Sequence, residues 1–110
     1  MYNEEDFEII KHTILKKITP YQILLFGSYA KALQNENSDI DIAIITEFEL
    51  ERKIKLKTVN ELLVSLAKIG YDVDIVIKTK SKYSEMSQLN GTLSYAIFHD
   101  GREIWKNVKS

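Results

Sequence analysis

A chain of 110 residues has room for one hydrophobic core, and its 45% hydrophobic and 28% charged residues describe a folded globular domain rather than a disordered or fibrous one. Fifteen Lys and Arg against sixteen Asp and Glu leave a net charge of -1, which excludes a global basic field able to hold nucleic acid by counterion release. No Cys and only two separated His exclude disulfides, thiolate zinc sites and cysteine nucleophiles, and leave oxygen chemistry.

The start MYNEEDFEII is acidic where a secretory leader is basic, and the longest aliphatic run, Ile42 to Ile45, is far short of the roughly 20 residues of a membrane span. The expectation is one cytoplasmic domain over residues 1–110, with no membrane contact. Phe7, Ile10, Ile14, Leu15 and Ile18 fall on one face at helical spacing, with Asn3 as cap, acids at the first turn and Lys16 and Lys17 at the last. That predicts an amphipathic helix over 4–18, stopped by Pro20. Tyr21 to Phe26 reads as a buried strand ended by Gly27 and Ser28, residues 28–33 as a short helix, and QNENS at 34–38 as a loop.

The segment SDIDIAII predicts a second strand with Asp39, Asp41, Ala43 and Ile45 on one face and Ile40, Ile42 and Ile44 on the other. Apolar residues from Leu50 to Ile69 predict a long helix over 48–69 with Gly70 as a left-handed cap. Tyr71 to Ile77 reads as a third strand and 82–98 as helix interrupted at Asn90-Gly91. A turn at Asp100-Gly101 then leads into a last strand at 103–106.

Asp is depleted in strands, yet D-I-D opens one strand here and D-V-D another. Alternate residues stand roughly 6.5–7 Å apart on one face, near enough for two carboxylates to share or neighbour a cation. If the two strands are adjacent, Asp74 or Asp72 joins Asp39 and Asp41 on one surface. Clustered carboxylates repel, and hard oxygen ligands favour Mg²⁺ or Mn²⁺, which share their coordination with substrate phosphates. Gly27-Ser28 offers the phosphate site: a strand ending in Gly allows close backbone approach, and amides opening a following helix face an anion.

The residues thus spell G-S-x10-D-x-D with a further strand acid about thirty positions on. Over LLFGSYAKALQNENSDIDIAII, GYDVDIVI and FHDGREIW, nearly the whole chain resembles the minimal nucleotidyltransferases of the DNA polymerase β-like nucleotidyltransferase superfamily. The resemblance implies an α/β (α+β) fold, a small mixed β-sheet flanked by helices. It also implies triphosphate binding at Gly27 and Ser28, two metals on Asp39 and Asp41, and Asp74 completing the triad and helping to activate the attacking hydroxyl. Lys31 stands where a basic residue that touches a phosphate is common. Tyr29 and Ala32 depart from the Arg and Gly that family members often carry there.

Taken singly, Gly27 is an ordinary turn glycine, Ser28 a helix cap and Lys31 a solvated helix residue; the spacing to Asp39 is what gives the first two weight. His12 and His99 read as surface residues, the run ERKIKLK as the wet side of a helix, and Tyr95, Phe98 and Trp105 as core or interface. Two functions follow. One is an enzyme that transfers a nucleoside monophosphate, AMP from ATP, to a hydroxyl by two-metal in-line displacement. The other is a nucleotide-binding module that acts by complex formation with a helical partner. A phospho-receiver is disfavoured because a Gly-Ser turn precedes the acids. The resemblance to antitoxins of bacterial toxin–antitoxin pairs implies a small helical HEPN-domain ribonuclease as partner and acceptor; strong nucleic-acid binding by the chain itself is not expected, and homo-oligomerisation is left open.

Overall fold

The computed structural model describes residues 2–27, 29–30 and 39–108. Helix α1, Glu4–Lys17, begins at Asn3, whose side chain accepts from the Asp6 amide while the Asp6 carboxylate accepts from the Asn3 amide, so two otherwise orphaned donors are satisfied reciprocally. Phe7, Ile10 and Ile14 are its buried stripe. Strand β1, Gln22–Phe26, and strand β2, Ile40–Thr46, pair antiparallel, with Phe26 opposite Asp41. Most of the predicted short helix at 28–33, and the whole loop at 34–38, lie outside the described residues.

Helix α2, Arg52–Lys68, starts four residues later than the apolar pattern suggests: Leu50 packs on the core from the loop, and Glu51 is the first capping residue. It ends in a Schellman motif. Gly70 at φ 100° lets its own amide reach the Ala67 carbonyl at 3.1 Å and the Tyr71 amide reach the Leu66 carbonyl at 2.9 Å. That bond consumes the amide of Tyr71, and strand β3, Val73–Thr79, accordingly begins two residues after the expected start at Tyr71.

The expected 82–98 helix is two. Helix α3, Lys80–Met86, is capped by Thr79, and helix α4, Leu93–Asp100, is capped by Thr92, whose hydroxyl lies 2.8 Å from both the Met86 and Leu89 carbonyls. His99 therefore sits in the last turn of α4. Strand β4, Arg102–Lys106, follows directly. Gly101 keeps an ordinary φ of -72°, so no left-handed turn is made there. Its requirement is steric, because a Cβ would run into the Ile97 carbonyl and come to 3.2 Å from that of Leu25.

The sheet order is β3-β2-β1-β4, with β2 and β3 parallel and the other pairs antiparallel. This is the mixed sheet flanked by helices that the sequence suggests. Its two faces differ. Ile23, Leu25, Ile40, Ile42, Ile44 and Ile77 meet Phe7, Ile10 and Ile14 of α1 and Leu62 and Leu66 of α2 in the larger core. Leu24, Ala43 and Ile45 meet Tyr83 of α3 and Ile97 of α4 in a smaller one. Among the described residues no helix is long and apolar enough to cross a membrane.

Ile44 is fully buried at the centre of the larger core. Ile44→Ala should cost about 2–5 kcal/mol through lost transfer energy and an unfilled cavity, measured as a shift in the urea midpoint at constant slope. A cost under about 1 kcal/mol would mean that the face collapses around the gap.

Candidate active site

Three strand ends meet at one end of the sheet: the end of β1, the start of β2 and the start of β3. Parallel pairing sets Asp41 directly opposite Asp74, and side chains in register on neighbouring strands point to the same face, about 4.8 Å apart in backbone spacing. Alternation puts both on the α3/α4 face, continuing the row of Ala43, Ile45 and Val76. Asp39 stands just before the first residue of β2, exposed. Asp72 lies outside β3 as well; its carbonyl accepts from the Ile40 amide at 3.4 Å, which carries the pairing one step beyond the ladder. Of the two third acids the sequence leaves open, Asp74 is the one in register with Asp41.

Electrostatics mark Asp41 as the strained member. Its carboxyl is pushed above the ordinary carboxylate range, first by burial and then by the charges of Asp74 and Asp39. Gly27 closes the other side. It follows β1 at φ 70°, and a Cβ there would collide with the Asp41 carboxylate oxygen, so the turn backbone lies directly against that group. The predicted partners of Gly27 in phosphate binding, Ser28 and Lys31, lie outside the described residues.

Among the described residues, no group of three or more His, Cys, Asp or Glu side chains closes around a point where one metal ion would sit. Asp39, Asp41 and Asp74 share an end of the sheet and repel one another without forming a finished cage. A cavity of about 380 Å³ opens beside them, lined by Asp39, Asp72 and Asp74 and walled by Leu63, Ala67 and Tyr71.

Tyr29, two residues past Gly27, is 6% exposed and belongs to the larger core. The sequence marks this position only as a departure from a common Arg. The apolar environment that would have revealed its role comes from α1 and from Tyr2, which are distant in sequence. Tyr71 is likewise buried, and its hydroxyl donates to the Asp6 carboxylate at 2.7 Å. This bond pushes the Tyr71 hydroxyl up to about 12, while the Asn3 amide, followed by Tyr71, holds the Asp6 carboxyl below its usual range. His12 is exposed, its Nε2 3.8 Å from the Glu8 carboxylate, and the His99 ring lies 4.1 Å from that of Tyr95.

The model of one sequence family, Polymerase beta, Nucleotidyltransferase, matches residues 8–109, which include the Gly27 turn and the paired strand acids. The chain belongs to that family. It is 29% identical over 83 residues to the protein adenylyltransferase MntA of Shewanella oneidensis, an alignment covering 76% of this chain and 52% of that protein, so the chain spans about half the length of this relative. It is also 29% identical over 84 residues to MJ0604 of Methanocaldococcus jannaschii, covering 76% of this chain and 77% of that one. A crystal structure of a toxin–antitoxin with AMP-PNP aligns at 27% identity and a TM-score of 0.61, over 94% of this chain and 74% of that chain. A Sulfolobus solfataricus structure at 17% identity and a TM-score of 0.64, over 96% and 82%, shares the fold.

Since folding raises the Asp41 proton affinity, the folded state binds that proton more readily than the unfolded one, and Asp41 costs stability as pH rises above the ordinary carboxylate value of 3.8. Asp41→Asn should therefore melt higher than the wild type at pH 7, with the difference closing as pH falls below 3.8. A variant that melts lower at pH 7 would show that the carboxylate is held by a favourable contact.

Proposed function

We propose that the chain is a nucleotidyltransferase that moves AMP from ATP to a hydroxyl on a helical protein partner, a HEPN-type toxin, and so acts as an antitoxin. The observation that carries this reading is the register of Asp41 against Asp74 with the Gly27 turn packed on the Asp41 carboxylate. Family membership supports the reaction class. The name of the Shewanella relative and the AMP-PNP in the toxin–antitoxin structure support the nucleotide and the kind of partner.

Gly27 and Ser28 bind the triphosphate in this reading, with Lys31 as a further phosphate contact, and Asp39, Asp41 and Asp74 are the ligands of Mg²⁺ or Mn²⁺. The donor set fits such ions. All three are hard carboxylate oxygens, their mutual repulsion calls for a cation, and an incomplete cage suits ions that draw remaining ligands from phosphate and water. When bound, the ions supply neutralisation of charge on the attacking and leaving oxygens. The acceptor oxygen bonds to the α-phosphorus, the bond to the β-phosphate oxygen breaks, pyrophosphate leaves, and Asp74 takes the hydroxyl proton. In this reading the partner positions the acceptor and helps exclude water from the site.

Binding of ATP should require the ion: calorimetry is expected to give measurable affinity with Mg²⁺ or Mn²⁺ and a loss of at least about tenfold in EDTA, since three carboxylates otherwise face the triphosphate. Equal affinity in both would remove the metal assignment.

Incubated with its partner, ATP and Mg²⁺, the chain should add one or more AMP units to that partner, seen by intact-mass spectrometry. Asp39→Asn combined with Asp41→Asn should lower the rate by at least about a thousandfold with an unchanged circular dichroism spectrum, because strand-end acids that repel stabilise little. A tight complex with no mass increment would instead favour a binding module.

A further inference from the structure

The N-terminal segment touches both sides of the site without contributing to either. The ring of Tyr2 stands 5.9 Å from that of Tyr29 on one side and 5.4 Å from that of Tyr71 on the other. The Tyr2 amide donates to the Tyr29 hydroxyl at 3.2 Å, and Phe7 meets Tyr29 edge-on at 5.8 Å. Four residues on, Asp6 accepts from the Tyr71 hydroxyl while also closing the cap of α1. Tyr29 follows the turn at Gly27; Tyr71 precedes Asp72 and Asp74 and lines the cavity beside the acids. Tyr2 is thus wedged between the segment that leaves β1 and the segment that enters β3.

We propose that Tyr2 is a positioning residue, the pin of an N-terminal clasp that fixes the turn at Gly27 relative to the acids of β2 and β3. In β1, β2 and β3 the ladder fixes backbone positions; among the described residues Gly27, Tyr29 and Ala30 lie outside the strands, and Tyr29 is held there by its burial in the larger core and its ring contacts with Tyr2 and Phe7. Aromatic contacts of this kind contribute beyond the area they bury, enough to order a short turn. The consequence for catalysis rests on the nucleotidyltransferase reading: a turn that wanders holds the triphosphate less well, while the acids, fixed by the ladder, are untouched. Loss of the pin therefore raises KM for ATP more than it lowers kcat.

Tyr2→Ala and Tyr2→Phe in the full chain test this with two readouts. Amide hydrogen exchange without nucleotide should accelerate at Tyr29 and Ala30 by about tenfold in Tyr2→Ala while Ile42 to Ile45 stay as protected as in the wild type, and Tyr2→Phe should restore the wild-type pattern. In the transfer assay Tyr2→Ala should raise KM for ATP by about tenfold with kcat within about twofold, again restored by Tyr2→Phe. Unchanged exchange at Tyr29, or faster exchange spread equally through β2 with KM unaltered, overturns the clasp and leaves Tyr2 as plain packing. A wild-type chain that transfers no AMP overturns the nucleotidyltransferase reading instead, and the exchange pattern still decides the clasp.

Discussion

Parallel pairing of β2 with β3 forces two like charges to stand side by side, and the rest of the site is arranged around that fact. Asp41 and Asp74 gain nothing from each other in the folded chain; the ladder between Ile40–Thr46 and Val73–Thr79 holds them together. The ladder in turn depends on α2, because a parallel pair needs a long crossover, and on Gly70, whose left-handed backbone turns the chain from the end of that helix back towards β3. Burial on the α1 and α2 face supplies the free energy that offsets the repulsion. A site of this kind holds like charges together at the expense of the free energy gained elsewhere in the fold.

Much of this was legible in the residues. Alternation in SDIDIAII assigned Asp39, Asp41, Ala43 and Ile45 to one face and Ile40, Ile42 and Ile44 to the other, and the two cores divide the apolar ones that way. The cap at Asn3 and the left-handed Gly70 follow from local chemistry and need no tertiary information. Adjacency of the two acidic strands could be posed only as a condition, since strand order is set by packing and crossover. It was the register that separated Asp74 from Asp72.

The misjudged boundaries have one physical origin, competition for backbone donors and acceptors. Tyr71 has the β propensity of a strand residue, but its amide is taken by Leu66. Thr92 ends the irregular stretch after α3 because its hydroxyl meets the Met86 and Leu89 carbonyls and caps the next helix at once. Gly101 looked like a turn glycine in Asp-Gly and is instead a clearance glycine, and no single-sequence pattern separates those two uses. Tyr29 escaped for a similar reason: its burial depends on Tyr2 and Phe7, both more than twenty positions away.

The unequal cores divide labour across the thickness of a single sheet. The face that packs α1 and α2 holds most of the fully buried aliphatic side chains, whereas the face that carries Asp41 and Asp74 is covered by two short helices joined through an irregular stretch. Mutational tolerance should follow the same division. Substitutions on the thin side can change the surface around Asp41 and Asp74 while the thick side keeps the chain folded, so that surface is free to vary without passing through unfolded intermediates.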